Sequence, residues 1–212
     1  MEHAVLEFED LGIQFAGGTV ALDGIDLSIQ PGEFVSLLGP SGCGKSTVLR
    51  IASGLEAPTS GRSTVTTDQI GYVFQDATLL PWLTIDDNVA LFAELEHMPS
   101  AEIRARVTAT LELVGLAGFA RHRPHQLSGG MRMRASLARS LVTSPDLFLF
   151  DEPFGALDEF TREKLNDDVR ALWVAQRFTG VFVTHSIAEA VYMSTRVVVM
   201  GARPGRVIGE FD

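Results

Sequence analysis

The sequence predicts an α/β protein with a mostly parallel sheet, an antiparallel β segment near its start and an inserted helical segment. Short apolar runs typical of buried strands recur along the chain and alternate with stretches at helical spacing. Val5 to Ile29 alternates between apolar and polar residues, as half-buried strands do. Helical patterns prevail over residues 76–143. We therefore expect one domain, residues 1–212, with a core formed by 1–75 and 144–212 and a helical subdomain at 76–143.

The individual elements are read from local patterns. Pro31-Gly32 marks a turn after the first strands. The runs expected to form the sheet are Phe34–Leu38, Ile70–Phe74, Leu147–Phe150, Val181–Thr184 and Val197–Met200. Helix start signals lie at Thr84–Asp87, Ser100–Glu102 and Ser186–Glu189, and a further helix is expected within residues 159–178.

Composition and charge exclude several classes of protein. The chain has 212 residues, of which 46% are hydrophobic, and this suits one sizeable core. A net charge of -10 disfavours a nucleic-acid partner or binding to anionic lipid. With one cysteine, no secretory signal and no long apolar run, we expect a cytoplasmic protein that reaches a membrane only through a partner.

The strongest chemical signal is a phosphate-binding loop between a predicted strand and a predicted helix. Gly39 to Ser46 fits the pattern G, four residues, G-K-S. Lys45 can neutralise phosphate charge and Ser46 can ligate magnesium, while backbone N–H groups surround the anion. The alternative is a glycine-rich turn without a ligand. The expected nucleotide-contacting residues are Gly39, Pro40, Ser41, Gly42, Cys43, Gly44, Lys45, Ser46 and Thr47.

The residues after this loop and the cysteine within it lead to two smaller predictions. Directly after the loop, apolar residues at helical spacing predict a helix with one buried face: Val48, Leu49, Ile51, Ala52 and Leu55. For Cys43, simple packing is favoured over a redox role.

Two carboxylates follow the buried run Leu147–Phe150. Asp151 is expected to hold Mg²⁺, usually through water, and Glu152 to orient the attacking water or act as its base. The alternative is a pair of solvated acids in a loop. Together with the phosphate loop, these residues predict hydrolysis of a nucleotide.

Leu127-Ser-Gly-Gly-Met131 narrows the nucleotide site to one family. With this motif the chain resembles the ATP-binding-cassette ATPases, whose LSGGQ signature stands here as LSGGM, over essentially all 212 residues. The resemblance implies a P-loop NTPase (RecA-like) core. By the same resemblance Phe15 stacks on adenine, Gln75 is a metal ligand and sensor, and His185 is the switch histidine. The signature residues are Ser128, Gly129 and Gly130, and Asp158 closes the motif Gly155-Ala-Leu-Asp158.

The signature motif also predicts a second chain at the site. Ser128 to Gly130 opens a helical stretch at residues 131–142, and a helix start rich in free amides suits an anion. Since one nucleotide needs only one phosphate loop, we expect each ATP to be shared between two chains, as a homodimer or a pair with a similar chain. A plain turn is the alternative for this motif.

Three other predicted residues have simpler alternatives. His185 follows the run Val181–Thr184, at a strand end where ligands bind in open α/β sheets, and its alternative is packing or surface exposure. Phe15 could instead be a core residue, and Gln75 could make an ordinary hydrogen bond. The remaining histidines are expected at the surface: His3, His97, His122 and His125.

Within the family, the closest likeness is to bacterial importers of the nitrate, sulfonate and taurine type. It is carried by Leu80–Thr84 with Asn88-Val89, by Asp151–Asp158 with Thr161-Arg162, and by Ala202–Val207. The likeness implies transmembrane permease subunits as partners, indirectly a solute-binding protein, and a place on the inner face of the membrane. Trp82 is then an interface anchor, with core packing as its alternative.

The sequence departs from the family pattern at a few positions. Met133 stands where a glutamine is expected, and Ser186 and Thr195 replace aspartates. Gly61 to Ile70 is shorter than usual, and the chain ends soon after Val207, so we expect a trimmed β arm.

These features predict an ATP-hydrolysing subunit of an importer, with ATP and Mg²⁺ as its ligands. Two other functions fit parts of the sequence: a non-transport cassette acting on ribosomes or DNA, and a small-molecule kinase that uses the same loop. The first would normally show tandem cassettes, and the second would not need Ser128–Gly130 or His185. By the same resemblance, the solute-binding protein and the membrane channel select the transported solute, and this chain does not.

Overall fold

The computed structural model describes residues 4–212, so His3 lies outside the described part. The strands are β1 (Leu6–Gln14), β2 (Val20–Ile29), β3 (Phe34–Leu38), β4 (Ser60–Val65), β5 (Ile70–Val73), β6 (Leu147–Asp151), β7 (Thr179–Thr184), β8 (Arg196–Met200) and β9 (Val207–Phe211). The α-helices are α1 (Lys45–Ala52), α2 (Ile85–Leu95), α3 (Ser100–Leu113), α4 (Gly129–Leu141), α5 (Glu159–Gln176) and α6 (Ile187–Met193).

A six-stranded sheet in the order β5-β6-β7-β3-β8-β9 forms the centre of the core. β3 is parallel to β7 and β8, and β6 is parallel to β7, whereas β9 is antiparallel to β8. The middle strands are covered on both faces, which is why their sequences are largely apolar and do not alternate with exposed polar residues. Phe34 lies 5.9 Å from Phe150 and 6.2 Å from Phe182 between ring centroids. The predicted mostly parallel sheet is confirmed.

A separate three-stranded antiparallel sheet, in the order β2-β1-β4, accounts for the alternating start of the chain. Leu6 pairs with Ile29 of β2 and with Val65 of β4. Leu6 and Phe8 are buried while Glu7 between them is exposed, because successive strand residues point to opposite faces. The predicted antiparallel β arm is confirmed.

Helix α1 is one turn shorter than the apolar spacing suggested. It ends at Ala52, and Gly54 follows with φ +74° and donates its N–H to the Ile51 carbonyl at 3.0 Å. A glycine in this conformation terminates a helix. Leu55 therefore lies outside α1 and is 58% exposed, so its predicted place on the buried helix face is wrong.

The helices at residues 85–141 begin largely where the sequence indicated. Thr84 caps α2 and accepts the Asp87 N–H at 3.3 Å, and Ser128 caps α4 and accepts the Met131 N–H at 3.3 Å. Ser100, by contrast, is the first residue of α3, and Pro99 occupies the cap position. The helices pack through buried apolar side chains, among them Val89, Ala93, Val107, Leu111 and Leu137.

The chain divides into two compact units. The first contains the described residues up to Tyr72, together with Asp146–Glu152 and Arg170–Asp212. The second contains Val73–Pro145 and Pro153–Val169, whereas the predicted helical subdomain ended at residue 143.

Contacts of helix α4 explain why the later segment, Pro153–Val169, joins the second unit. Arg134 pairs with Asp168 at 2.9 Å, and Gly130 packs against Thr161 so closely that a Cβ would not fit. Within residues 4–212, no helix combines the length and the apolar character needed to cross a membrane.

Candidate functional site

The phosphate loop joins β3 to α1, and its shape depends on glycine. Gly42 has φ +75° and Gly44 has φ +101°, a region that residues with a Cβ rarely adopt. A Cβ on Gly44 would also lie 2.5 Å from Leu22 Cδ2 and 3.1 Å from the Ala21 carbonyl. The sequence motif therefore encodes a specific backbone path rather than a loose turn.

Lys45 places a positive charge inside this loop. Lys45 is 4% exposed, and its ammonium donates to the carbonyls of Gly39 at 2.8 Å and Pro40 at 3.0 Å. No side chain caps the start of α1, where Gly44 occupies the cap position. The first amides of α1 and the Lys45 ammonium are thus both suited to an anion.

Ser46 and Asp151 meet at the end of β6. The Ser46 hydroxyl donates to Asp151 Oδ1 at 2.6 Å, and the Tyr72 hydroxyl donates to Asp151 Oδ2 at 3.3 Å. Burial raises the pKa of Tyr72, and the negative charge of Asp151 raises it further. Tyr72 therefore stays a neutral donor that holds the carboxylate in place.

This pair of oxygen groups fits a magnesium ion, which prefers a carboxylate, hydroxyls, waters and substrate phosphates. No group of three or more His, Cys, Asp and Glu side chains suited to a metal occurs in the described part of the chain. A site with one carboxylate and one serine, completed by a nucleotide, is consistent with that result. Sequence reasoning did not identify Tyr72 as a site residue, because its local pattern indicates only a strand.

Glu152 lies beside two other predicted residues. Its Oε1 is 3.6 Å from Lys45 Nζ, and its Oε2 is 3.2 Å from His185 Nδ1. The Glu152 backbone has φ +44°, and its N–H donates to the Val183 carbonyl at 3.2 Å. Strained backbone of this kind concentrates at functional sites.

These contacts bring a carboxylate, an ammonium and an imidazole together at the strand ends. The carboxylate can orient a water molecule and accept its proton, and the ammonium can neutralise phosphate charge. The structure thus brings together five predicted site residues of the first unit: Lys45, Ser46, Asp151, Glu152 and His185.

Two predicted motifs lie in the second unit. Ser128 is exposed at the start of α4, with Gly129 and Gly130 in its first turn. Asp158 precedes α5 and accepts the Thr161 N–H at 3.0 Å. Because its carboxylate accepts this N–H three residues into the helix, Asp158 caps α5. Hydrogen bonds from the Thr161 side chain and backbone lower the pKa of Asp158. The nucleotide-binding role of these motifs stays a prediction.

Phe15 and Gln75 are both exposed. Phe15 follows β1 directly, at the start of the turn between β1 and β2, where its N–H donates to the Thr19 carbonyl at 2.9 Å. The alternative that Phe15 is a core residue is therefore wrong. Gln75 belongs to the second unit and lies in a bend just after β5. Stacking on adenine and metal binding stay predictions for these two residues.

The loop that follows Gln75 is held by Arg139 of α4, a residue that sequence reasoning missed. Arg139 is 4% exposed and donates to the Thr78 carbonyl at 2.9 Å, to the Thr78 hydroxyl at 2.8 Å and to the Ala77 carbonyl at 3.2 Å. Its guanidinium lies 5.2 Å from the centre of the Phe92 ring. Burial lowers the pKa of Arg139.

Asn88 holds the other end of the same loop. Its fully buried amide accepts the Leu80 N–H at 2.7 Å and donates to the carbonyls of Leu80 at 3.1 Å and Thr84 at 2.8 Å. Trp82 lies between these anchors and is 66% exposed, so core packing of Trp82 is wrong. The second unit thus presents a fixed loop with an aromatic side chain on its surface.

The departures from the family pattern have local explanations. Met133 is buried within the second unit. Ser186 caps α6 by accepting the Glu189 N–H at 3.3 Å, and the Thr195 hydroxyl donates to the Phe34 carbonyl at 3.2 Å. Both substitutions therefore make hydrogen bonds to the backbone.

Of the other described histidines, two are exposed and one is partly covered. His97 and His125 lie at the surface, as predicted. His122 is half-buried, with its ring centre 5.2 Å from that of Phe119.

Comparison with known proteins agrees with this geometry. The family model described as ABC transporter matches residues 22–155. An aliphatic sulfonates import ATP-binding protein of Pseudomonas syringae pv. syringae is 49% identical over 193 residues, which cover 91% of this chain and 79% of the relative. An uncharacterized ABC transporter ATP-binding protein of Methanocaldococcus jannaschii is 45% identical over 202 residues, which cover 92% of this chain and 76% of the relative.

A solved structure is similar over nearly the whole chain. It is a dimeric ATP-binding cassette in a post-hydrolysis state bound to ADP and Pi, with a TM-score of 0.86 and 34% identity. The alignment covers 98% of each chain.

Proposed function

Because the chain belongs to the ATP-binding-cassette transporter family and is an ATPase of that family, we propose that it energises import of a small solute through membrane permease subunits. The observation that carries the proposal is the position of Glu152 between Lys45 and His185, at the end of the strand that also places Asp151. A kinase would need neither this histidine nor the signature motif. A relative named as an import ATP-binding protein favours import over a role on ribosomes or DNA.

We propose the following division of labour in hydrolysis. Lys45 and the amides at the start of α1 neutralise the phosphates, while Glu152 orients the attacking water and accepts its proton. His185 fixes the Glu152 carboxylate and donates toward the phosphate that is released. Ser46 and Asp151, with Gln75 as the further predicted ligand, would hold Mg²⁺, which supplies positive charge to the phosphates when bound.

Two copies of the chain share each nucleotide in this proposal. Ser128 and the amides of Gly129 and Gly130 on one copy bind the phosphates held by the loop of the other copy. An exposed Ser128 at an amide-rich helix start supports this role, as does the dimeric state of the similar solved cassette. Binding of ATP then closes the pair and hydrolysis reopens it, a change governed by the terminal phosphate.

The loop at residues 77–84 is the proposed contact with the permease. Arg139 and Asn88 fix this loop in advance, so little conformational entropy is lost when a partner binds. Trp82 is the anchor, because exposed aromatic side chains dominate many interfaces. The chain then works on the cytoplasmic face of the membrane, and a solute-binding protein on the far side contacts the permease rather than this chain.

The proposed solute is a small anion or zwitterion of the nitrate, sulfonate or taurine type. The test is to co-express the chain with its neighbouring permease and solute-binding subunits and to measure ATP-dependent uptake of taurine, an alkanesulfonate and nitrate in proteoliposomes. Uptake of one of them, lost with Glu152→Gln, is expected. ATP hydrolysis without a co-purifying permease would reject the importer role.

A matched pair of variants tests the interface. Trp82→Ala is expected to weaken permease binding about tenfold or more. Leu95, also 66% exposed in the second unit, provides the control, and Leu95→Ala is expected to change binding less than about twofold. Equal effects of the two variants on permease binding would contradict the proposed place of this loop in the interface.

A further inference from the structure

The segment that joins β8 to β9 packs directly on the phosphate loop. The Gly205 N–H donates to the Ala21 carbonyl at 2.8 Å, and its carbonyl accepts the Asp23 N–H at 3.1 Å. On its other side Gly205 touches the Cys43 carbonyl so closely that a Cβ would not fit. These contacts fix the segment, residues 201–206, against the loop and against β2.

Arg203 of this segment lies over the rim of the phosphate loop. Its Nη2 atom is 3.0 Å from the position that a Cβ on Gly42 would occupy, and its Nε is 3.5 Å from the Gly42 carbonyl. The side chain is exposed. The Arg203 guanidinium is therefore a second positive charge beside the loop. Unlike Lys45, it belongs to a segment outside the loop.

Arg203 also differs from the other arginines of the first unit. Six of the seven contact a carboxylate or an aromatic ring: Arg50 with Glu56, Arg62 with Glu9, Arg170 with Tyr192, Arg177 with Trp173, Arg196 with Glu33 and Arg206 with Asp23. Among residues 4–212, the Arg203 guanidinium has neither kind of partner, and its only hydrogen bond is to the Gly42 carbonyl. In a chain with a net charge of -10, this leaves a guanidinium without a counter-charge next to an anion-binding loop.

We infer that Arg203 binds the phosphate chain of the nucleotide, as a second positively charged contact beside Lys45. A guanidinium matches the geometry of phosphate oxygens and can donate two parallel hydrogen bonds. The fixed position of Gly205 keeps the Arg203 backbone close to the loop, so the side chain needs only a rotamer change to reach a ligand there. The inference rests on the phosphate-loop assignment made above.

The test compares two variants that each remove one positive charge from the same segment. Arg203→Gln is expected to weaken binding of ATP, and of inorganic tripolyphosphate, about five- to twentyfold, the effect of losing one charge-assisted hydrogen bond at an exposed site. Arg206→Gln, the control, is expected to change both affinities less than about twofold, because Arg206 pairs with Asp23. Arg203→Lys should recover part of the affinity, since lysine keeps the positive charge but cannot donate the two parallel hydrogen bonds of a guanidinium.

Salt and the choice of ligand distinguish a phosphate contact from support of the loop. The difference between the native chain and Arg203→Gln should shrink as ionic strength rises from about 0.05 M to about 0.5 M, because salt screens an exposed charge. Three results would overturn the inference: equal weakening by Arg203→Gln and Arg206→Gln, weakened ATP binding with unchanged tripolyphosphate binding, or unchanged binding of both ligands. Failure of the native chain to bind either ligand would instead reject the phosphate-loop assignment itself.

Discussion

Removing the Arg139 side chain should loosen the loop that carries Trp82 and lower the stability of the chain. In Arg139→Leu, the carbonyls of Ala77 and Thr78 and the Thr78 hydroxyl lose three hydrogen bonds from a charged donor. Such bonds contribute about 1.5–3 kcal/mol each when both partners stay dry. Thr78 is exposed, so water replaces part of the loss, and relief from burying the guanidinium offsets more.

The net destabilisation expected for Arg139→Leu is about 2–3 kcal/mol, which corresponds to a fall in Tm of about 5–10 °C for a chain of this size. Thermal unfolding measures the total effect, and hydrogen exchange at residues 78–83 measures the local one. Arg132→Leu is the control, because Arg132 lies on the same helix but is exposed and makes a single bond to the Leu127 carbonyl at 2.6 Å. Its Tm should fall by less than about 3 °C. An unchanged exchange rate at residues 78–83 in Arg139→Leu would refute the reasoning.

Three further predictions concern the nucleotide site. Glu152→Gln should keep ATP binding but slow phosphate release about a hundredfold or more, since the amide retains the shape and loses the base; normal turnover would remove Glu152 from this role. Ser128→Arg should abolish hydrolysis without weakening ATP binding to a single chain, and mixing it with Lys45→Ala should restore partial activity if sites are shared; an inactive mixture would contradict sharing. Gly44→Ala should weaken ATP binding more than about tenfold in equilibrium titrations, because the loop at φ +101° would be strained and the new Cβ would press on Leu22; native affinity would show that the loop can adapt.

Much of the fold and part of the site could be predicted because the relevant signals are local in sequence. Strands β3, β6 and β7 are buried on both faces and so appear as short, largely apolar runs without polar alternation. Glu152 follows β6 directly, and Lys45 follows β3 after the phosphate loop, so both lie at strand ends, where open α/β sheets bind ligands. The fold and the ATPase activity inferred from these signals are confirmed by the comparisons, and so is the family inferred from the motif Leu127–Met131.

What could not be predicted depends on pairs of residues far apart in the chain. The Tyr72 contact with Asp151 and the Arg139 contact with Thr78 join residues separated by more than 60 positions, and no periodicity encodes such pairs. The error at Leu55 has a different origin. Apolar spacing continued past Ala52, but the backbone of Gly54 had already ended the helix. Arg203 lies in a stretch that the sequence singled out, yet its contact with Gly42 is visible only in three dimensions.

The burial of Cys43 makes the native chain its own probe of loop motion. The thiol is 1% exposed, and its Sγ is 2.9 Å from the position of a Cβ on Gly39, so a reagent cannot approach it while the loop keeps this shape. Alkylation of the thiol then requires a local opening of the phosphate loop, so its rate measures how often the loop opens, without an added label. A ligand that holds the loop closed slows the reaction, so the alkylation rate of Cys43 reports how much of the protein has a ligand bound at the phosphate loop.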